Sequence, residues 1–251
     1  MRELRRLLIQ GARLQQRLTL KRDESHYLER VLRLRPGARL AVVNGRGSLW
    51  SARLEAGGTV VLEQPADQPL EHSQPLPVLL ELAMAVPRHD ADAVWRMACE
   101  LGADRLQPLV ADRQARGARL VPERWHDIVK EASEQCERLW LPELAPVRPA
   151  SDWLGQAMGG TRLLATTRRR LPALEAVLPT MPPSVIRLAV GPEGGWSEAE
   201  LTAAESVGWQ AVSLGPTILR TSTAAVAGLA RLVAWRSERL AHHDLGHGAK
   251  A

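Results

Sequence analysis

The chain has 251 residues, 45% hydrophobic and 24% charged, ordinary for a globular protein and enough for two modest cores. No apolar run approaches the roughly 18 residues needed to cross a bilayer, and Met1 to Arg6 lacks a secretory signal's apolar stretch, so neither a membrane nor an exported protein is expected. The net charge is +5, and the two distant cysteines, Cys99 and Cys136, exclude a disulfide framework and zinc spacing and suit the cytoplasm.

The charge is concentrated at the front. Residues 1–40 hold eleven Arg or Lys against four Asp or Glu, a net of +7, so the remainder sums to −2. All but three of the 33 basic residues are arginine, whose planar fork suits phosphate oxygens and stacks on bases. A GC-rich genome would explain arginine over lysine but not its crowding at one end, so a polyanionic partner is expected. Asp23 to Leu32 predicts a short helix with Tyr27, Leu28, Val31 and Leu32 on one face. Arg39 to Val43 and a run through Leu49, Trp50 and Leu54 predict a hairpin turned at Asn44-Gly45, with another strand over Thr59 to Leu62. One helix among short strands predicts a small β-barrel domain over residues 1–70. Trp50 is a candidate to stack on a base. Pro65, Pro69, Pro75 and Pro77 punctuate the next stretch, and residues 71–77 are the predicted linker.

From 78 to 241 apolar strands alternate with helices, which predicts a largely parallel α/β domain. Strands are expected over 78–86, 106–110, 163–166, 186–190 and 211–214. Helices are expected over 91–101 (Val94, Met97, Ala98 and Leu101 on one face), from Pro122 (Trp125, Ile128, Val129, Ala132 and Cys136), and over 223–240. Residues 242–251 are a predicted frayed tail. The seven histidines are scattered, and no metal site is expected.

Two segments carry chemistry. The strand 186–190 runs into Gly191-Pro192-Glu193-Gly194-Gly195-Trp196, then Ser197 and Glu200 as a capping box with Trp196 and Leu201 as its hydrophobic staple. Three glycines in five residues let a ligand approach the backbone at a strand's carboxyl end, or simply make a tight turn. Neither a P-loop nor a dinucleotide fingerprint is present. The second segment, Leu214-Gly-Pro-Thr-Ile218-Leu219-Arg220-Thr221, precedes a helix capped by Thr221 or a neighbour. In isolation Arg220 is better explained by a surface ion pair.

Together these segments resemble the ribosomal RNA small subunit methyltransferase E family of the SPOUT superfamily. The matching residues are Gly191 to Gly195 with Ser197 and Glu200; Leu214 to Pro216; Ile218 to Thr221 with Thr223-Ala224; Glu100 to Gly102; Glu131-Ala132; Glu134-Gln135; Arg138; and Val31 to Arg33. The resemblance implies an α/β SPOUT-type methyltransferase domain with a deep trefoil knot, preceded by a PUA-like barrel, and a homodimer. It implies transfer of a methyl group from S-adenosyl-L-methionine to N3 of a uridine in 16S ribosomal RNA, free or in the small subunit, with no metal because the sulfonium is already activated. By the same resemblance Ala165, Thr166, Val190, Gly191, Pro192, Glu193, Gly194, Gly195, Leu214, Gly215, Ile218, Leu219 and Thr221 hold the cofactor. Arg220 becomes the cation that stabilises the uracil anion, and Glu193 the proton acceptor or a cofactor ligand. Arg30, Arg33, Arg88, Arg113 and Arg138 are the expected RNA contacts. The sequence departs from the family at Met97, usually basic; Glu137, usually glycine; Thr217, usually arginine; and Ser222, usually acidic. The alternatives are an RNA-binding module without catalysis, a small-molecule α/β enzyme, and a methyltransferase for another ribosomal RNA position or a 2′-hydroxyl.

Overall fold

The structure, a computed structural model, describes residues 4–167, 170–182 and 184–247. It divides into two compact units, Met1–Pro75 with Lys130–Leu141, and Leu76–Val129 with Pro142–Ala251.

The N-terminal unit comprises β1 (Arg6–Leu8), β2 (Arg17–Thr19), α1 (Arg22–His26), β3 (Arg39–Val43), β4 (Ser48–Glu55), β5 (Thr59–Leu62) and β6 (Glu71–His72). The sheet order is β1-β3-β4-β5-β2 with β6 on β4, so two residues of the predicted linker form a strand. Alternating side chains, among them Leu40, Val42, Trp50, Ala52, Leu54, Val60 and Leu62, enter one core cluster with Leu28. The intervening Ala41 and Val43 are buried too, with Leu8 and Leu49, under Leu139 and Leu141. Burial on both faces explains the unbroken apolar run 40–43. Trp50 is core, its Nε1–H donating to the Pro65 carbonyl at 3.2 Å, and is not free to stack on a base. The hairpin turn differs from the expected two-residue form. The Asn44 side chain accepts N–H bonds from Arg46 and Ser48 at 2.8 and 3.0 Å, spreading the turn over 44–47. After α1 the chain makes a π-helical turn over Tyr27–Val31, which rotates the predicted stripe and leaves Val31 60% exposed.

Several of the frontal arginines pair with carboxylates: Arg6 with Glu137 at 3.2 Å, Arg13 with Glu24 at 2.6 Å, and Arg39 with Glu63 at 2.6 Å. Arg17 pairs with Glu55. Glu55, Glu63 and Glu137 come from beyond residue 40, so folding dilutes the charge asymmetry of the linear chain. Glu137 has φ +62, a left-handed conformation that favours glycine, and Arg6 bonds its carboxylate and carbonyl. Buried Glu134 accepts the Leu8 N–H at 2.7 Å, and burial pushes its pKa up to about 7.

The C-terminal unit contains β7 (Leu80–Ala85), α2 (Ala91–Leu101), β8 (Arg105–Val110), the first half of α3 (Pro122–Gln135), β9 (Glu143–Leu144), β10 (Arg148–Pro149), α4 (Ala150–Leu154), β11 (Thr161–Ala165), α5 (Leu174–Val177), β12 (Ile186–Val190), α6 (Glu198–Ser206), β13 (Gln210–Val212) and α7 (Thr221–His247). Its strands run parallel in the order β10-β8-β7-β12-β11-β13, with β9 beside β8. Every residue of β7 is buried, as a central parallel strand covered on both faces requires. On one face α7 packs against α2, β7 and β12. On the other, Ala83, Leu109, Leu164 and Ala189 meet Trp153 and Leu154 of α4, Leu201 and Ala204 of α6, and Trp209. Buried Arg236 fastens α7 by a 2.6 Å ion pair to Asp104 and by bonds to the Val78 and Gly102 carbonyls. Helix α7 continues to His247, into the predicted tail; residues 248–251 lie outside the described residues. Among the described residues no helix is long and apolar enough to cross a membrane.

Candidate functional site

Strands β11, β12 and β13 are parallel neighbours, so their carboxyl ends share one edge of the sheet. After β12 the chain turns through Gly191 to Gly195. Gly195 donates its N–H to the Pro192 carbonyl at 2.8 Å with φ +71, a conformation that favours glycine. A Cβ on Gly194 would lie 2.7 Å from the Arg113 carbonyl oxygen, so the turn after β8 excludes any side chain there. Trp196 fastens the loop to β11 through its Nε1–H on the Ala165 carbonyl at 3.1 Å.

The predicted capping box is present. Ser197 Oγ accepts the Glu200 N–H at 3.2 Å, and Glu200 accepts the Ser197 N–H at 2.7 Å. Fully buried Glu200 also takes the Asp112 N–H at 2.9 Å. Trp196 and Leu201 share one core cluster, as a staple should.

After β13, Ser213 exchanges hydrogen bonds with the Gly215 backbone, and the Leu214 carbonyl accepts from Arg231 at 2.9 Å. Thr221 opens α7 but does not cap it. Its buried hydroxyl donates to the Gly191 carbonyl at 2.9 Å and so ties the two loops together.

Between the loops lies a cleft of about 890 Å³, within the size range of cofactor sites. Every residue predicted to hold the cofactor lines it: Ala165, Thr166, Val190, Gly191 to Gly195 in sequence, Leu214, Gly215, Ile218, Leu219 and Thr221. Arg220 does not. It is exposed, its carbonyl accepts the Ala224 N–H, and among the described residues no carboxylate pairs with it. Glu193 is exposed on the cleft wall. Thr166 Oγ1 is buried there without a hydrogen-bond partner among the described residues. Sequence reasoning missed Arg170, Glu198 and Ser213 as lining residues, and Arg113 as more than an RNA contact. A basic run just past β11 was the available signal for Arg170. Among the described residues no His, Cys, Asp and Glu cluster could hold a metal ion.

The expected RNA contacts fall in both units. Arg30 and Arg33 are exposed in the N-terminal one, where half-buried Arg138 donates Nε–H to the Trp140 carbonyl at 3.0 Å. In the C-terminal one Arg88 is exposed, and Arg113 donates to the Trp196 carbonyl at 3.1 Å.

Comparison with known proteins agrees with this geometry. An RNA methyltransferase domain matches residues 74–233 and an RNA methyltransferase PUA domain matches residues 20–62. The ribosomal RNA small subunit methyltransferase E of Synechocystis is 39% identical over 222 residues, covering 86% of this chain and 72% of that protein. The crystal structure of the same enzyme from Neisseria gonorrhoeae, bound to S-adenosyl methionine, is 28% identical with a TM-score of 0.77, covering 92% of this chain and 97% of that one. A methyltransferase of Legionella pneumophila, solved with the cofactor bound, has a TM-score of 0.80 at 27% identity, covering 92% and 98%. The fold is therefore that of a SPOUT-type RNA methyltransferase with a PUA-like N-terminal domain. More narrowly, the chain belongs to the ribosomal RNA small subunit methyltransferase E family.

Proposed function

We propose that this protein methylates N3 of a uridine in 16S ribosomal RNA, using S-adenosylmethionine held between the two loops, as a cytoplasmic homodimer. The domain limits 1–70 and 78–241 and the family's knot belong to the same proposal. The observation that carries it is the single cleft into which both glycine-bearing loops bring their residues.

The residues present fit the cofactor. Val190, Leu214, Ile218 and Leu219 offer apolar surface for the two faces of adenine, while loop backbone groups and the unpartnered Thr166 hydroxyl offer polar partners for its edge and ribose. Bound S-adenosylmethionine supplies a methyl on a sulfonium, whose S–C bond breaks as the N3–C bond forms. Glu193, on the cleft wall, takes the N3 proton. Arg220, just outside the cleft and among the described residues without a carboxylate partner, stabilises the charge spreading to O2 and O4. The rigid glycine loop supplies positioning. N3 lies on the pairing edge, so the uridine reacts only unpaired or extruded.

The test is reverse transcription of 16S ribosomal RNA from cells with and without the gene. An N3-methyl halts extension, so a stop that vanishes on deletion and returns with the wild-type gene is expected. Identical stop patterns in both strains overturn the assignment.

A further inference from the structure

We propose that the loop following β8, Ala111 to Leu120, is a phosphate clamp that seats the RNA strand beside the cleft. The inference rests on the RNA-methylation reading above and assigns that reaction a substrate-positioning surface.

The segment reads Ala-Asp-Arg113-Gln-Ala-Arg116-Gly-Ala-Arg119-Leu, three arginines at a spacing of three with Asp112 as the sole acid. Its base is rigid. Gln114 closes a turn with both backbone groups of Ala111, its side chain accepting that N–H at 3.1 Å and its own N–H donating to that carbonyl at 3.1 Å. The Asp112 N–H is held by Glu200, and its carboxylate accepts the Ser197 hydroxyl. Arg113 lines the cleft, bonds the Trp196 carbonyl, and presents its own carbonyl to Gly194.

Past this base Arg116 and Arg119 are exposed, and among the described residues neither has a carboxylate partner. Their place is the decisive point: they follow three and six residues after Arg113, which lines the cleft. The one acid of the loop is outnumbered by its three arginines, which leaves the segment at a net +2. Unpaired guanidinium groups among Gly, Ala and Gln suit phosphate oxygens, which fix register without reading sequence. Because the base of the loop is bonded to the glycine loop, a phosphate held by Arg116 or Arg119 is positioned relative to the methyl donor.

The experiment compares wild type, R116A/R119A and R116K/R119K. It combines filter binding of in vitro transcribed 16S RNA across about 50–200 mM salt, steady-state methylation, and calorimetric S-adenosylmethionine binding. The alanine pair is expected to make the plot of log affinity against log salt shallower by about 2, one per lost phosphate contact, and to raise KM for RNA about tenfold. The lysine pair keeps the slope, and cofactor affinity is unchanged in both. An unaltered slope and KM in R116A/R119A overturn the clamp, as does lost cofactor binding in that variant, which would mark a structural role. If wild type transfers no methyl group at all, the reaction assignment fails while the salt slope still decides the clamp.

Discussion

The two loops that wall the cleft are built differently. The loop after β12 is over-determined: Trp196 bonds β11, Glu200 accepts two backbone N–H groups, and Gly194 is pressed against the Arg113 carbonyl. The loop after β13 is tied down by Ser213 at one end and Thr221 at the other. Between them Gly215, Pro216, Thr217 and Arg220 are exposed, and Ile218 is 64% exposed. One wall is fixed before anything binds. The other presents side chains toward solvent, which suits a lip that meets substrate. Substitutions in the first wall should therefore register as stability and cofactor affinity, and substitution of exposed Arg220 in the second as turnover.

The largest effect is expected in the loose wall. Arg220→Ala should lower kcat about 10²–10³-fold at saturating RNA while leaving the melting temperature within a degree or two, since the residue is exposed. A wild-type kcat ends its assignment as the stabilising cation. In the fixed wall, Glu200→Ala removes a fully buried carboxylate that holds the Ser197 and Asp112 N–H groups and should cost about 2–4 kcal/mol in urea unfolding.

Glu134 is the N-terminal counterpart, buried and accepting the Leu8 N–H. Its folded pKa of about 7 lies above the usual carboxylate value, so the folded state binds the extra proton. The stability it contributes is present below about pH 4.5 and lost as pH rises through about 7, roughly 3 kcal/mol at most. Glu134→Gln should flatten that loss and raise the melting temperature at pH 8; a profile parallel to wild type between pH 5 and 8 would refute it. Gly194→Ala should then weaken cofactor binding about tenfold to a hundredfold by forcing the two turns apart, read by calorimetry. Smallest is Ile218→Ser, expected within about 0.5 kcal/mol of wild-type stability, which a thermal melt checks.

Much of this was legible in the chain. The periodicity of Ala91 to Leu101 located α2 to the residue, and 186–190 is β12. The capping box and staple were readable because each is local, a few residues apart. What escaped was set by distant partners. Neither the pairing of Glu71-His72 with β4 nor the grouping of Lys130–Leu141 with the front of the chain leaves a trace in spacing. Tryptophan type could not say that Trp50 lies in the N-terminal core, nor could a charge sum foresee that Glu55, Glu63 and Glu137 would meet frontal arginines. The glycines were recognised, but the reason for Gly194 belongs to a carbonyl more than eighty residues earlier. Two strand-ending loops of this kind already suggested one shared site, but its cofactor and residue roles came through the family resemblance, since strand adjacency of β11, β12 and β13 is not written in any one segment.

The most direct measurement is an isothermal titration of the purified protein with S-adenosylmethionine, with and without 16S RNA. The account predicts saturable binding at one site per chain, weakened in Gly194→Ala. No binding heat under either condition would contradict it.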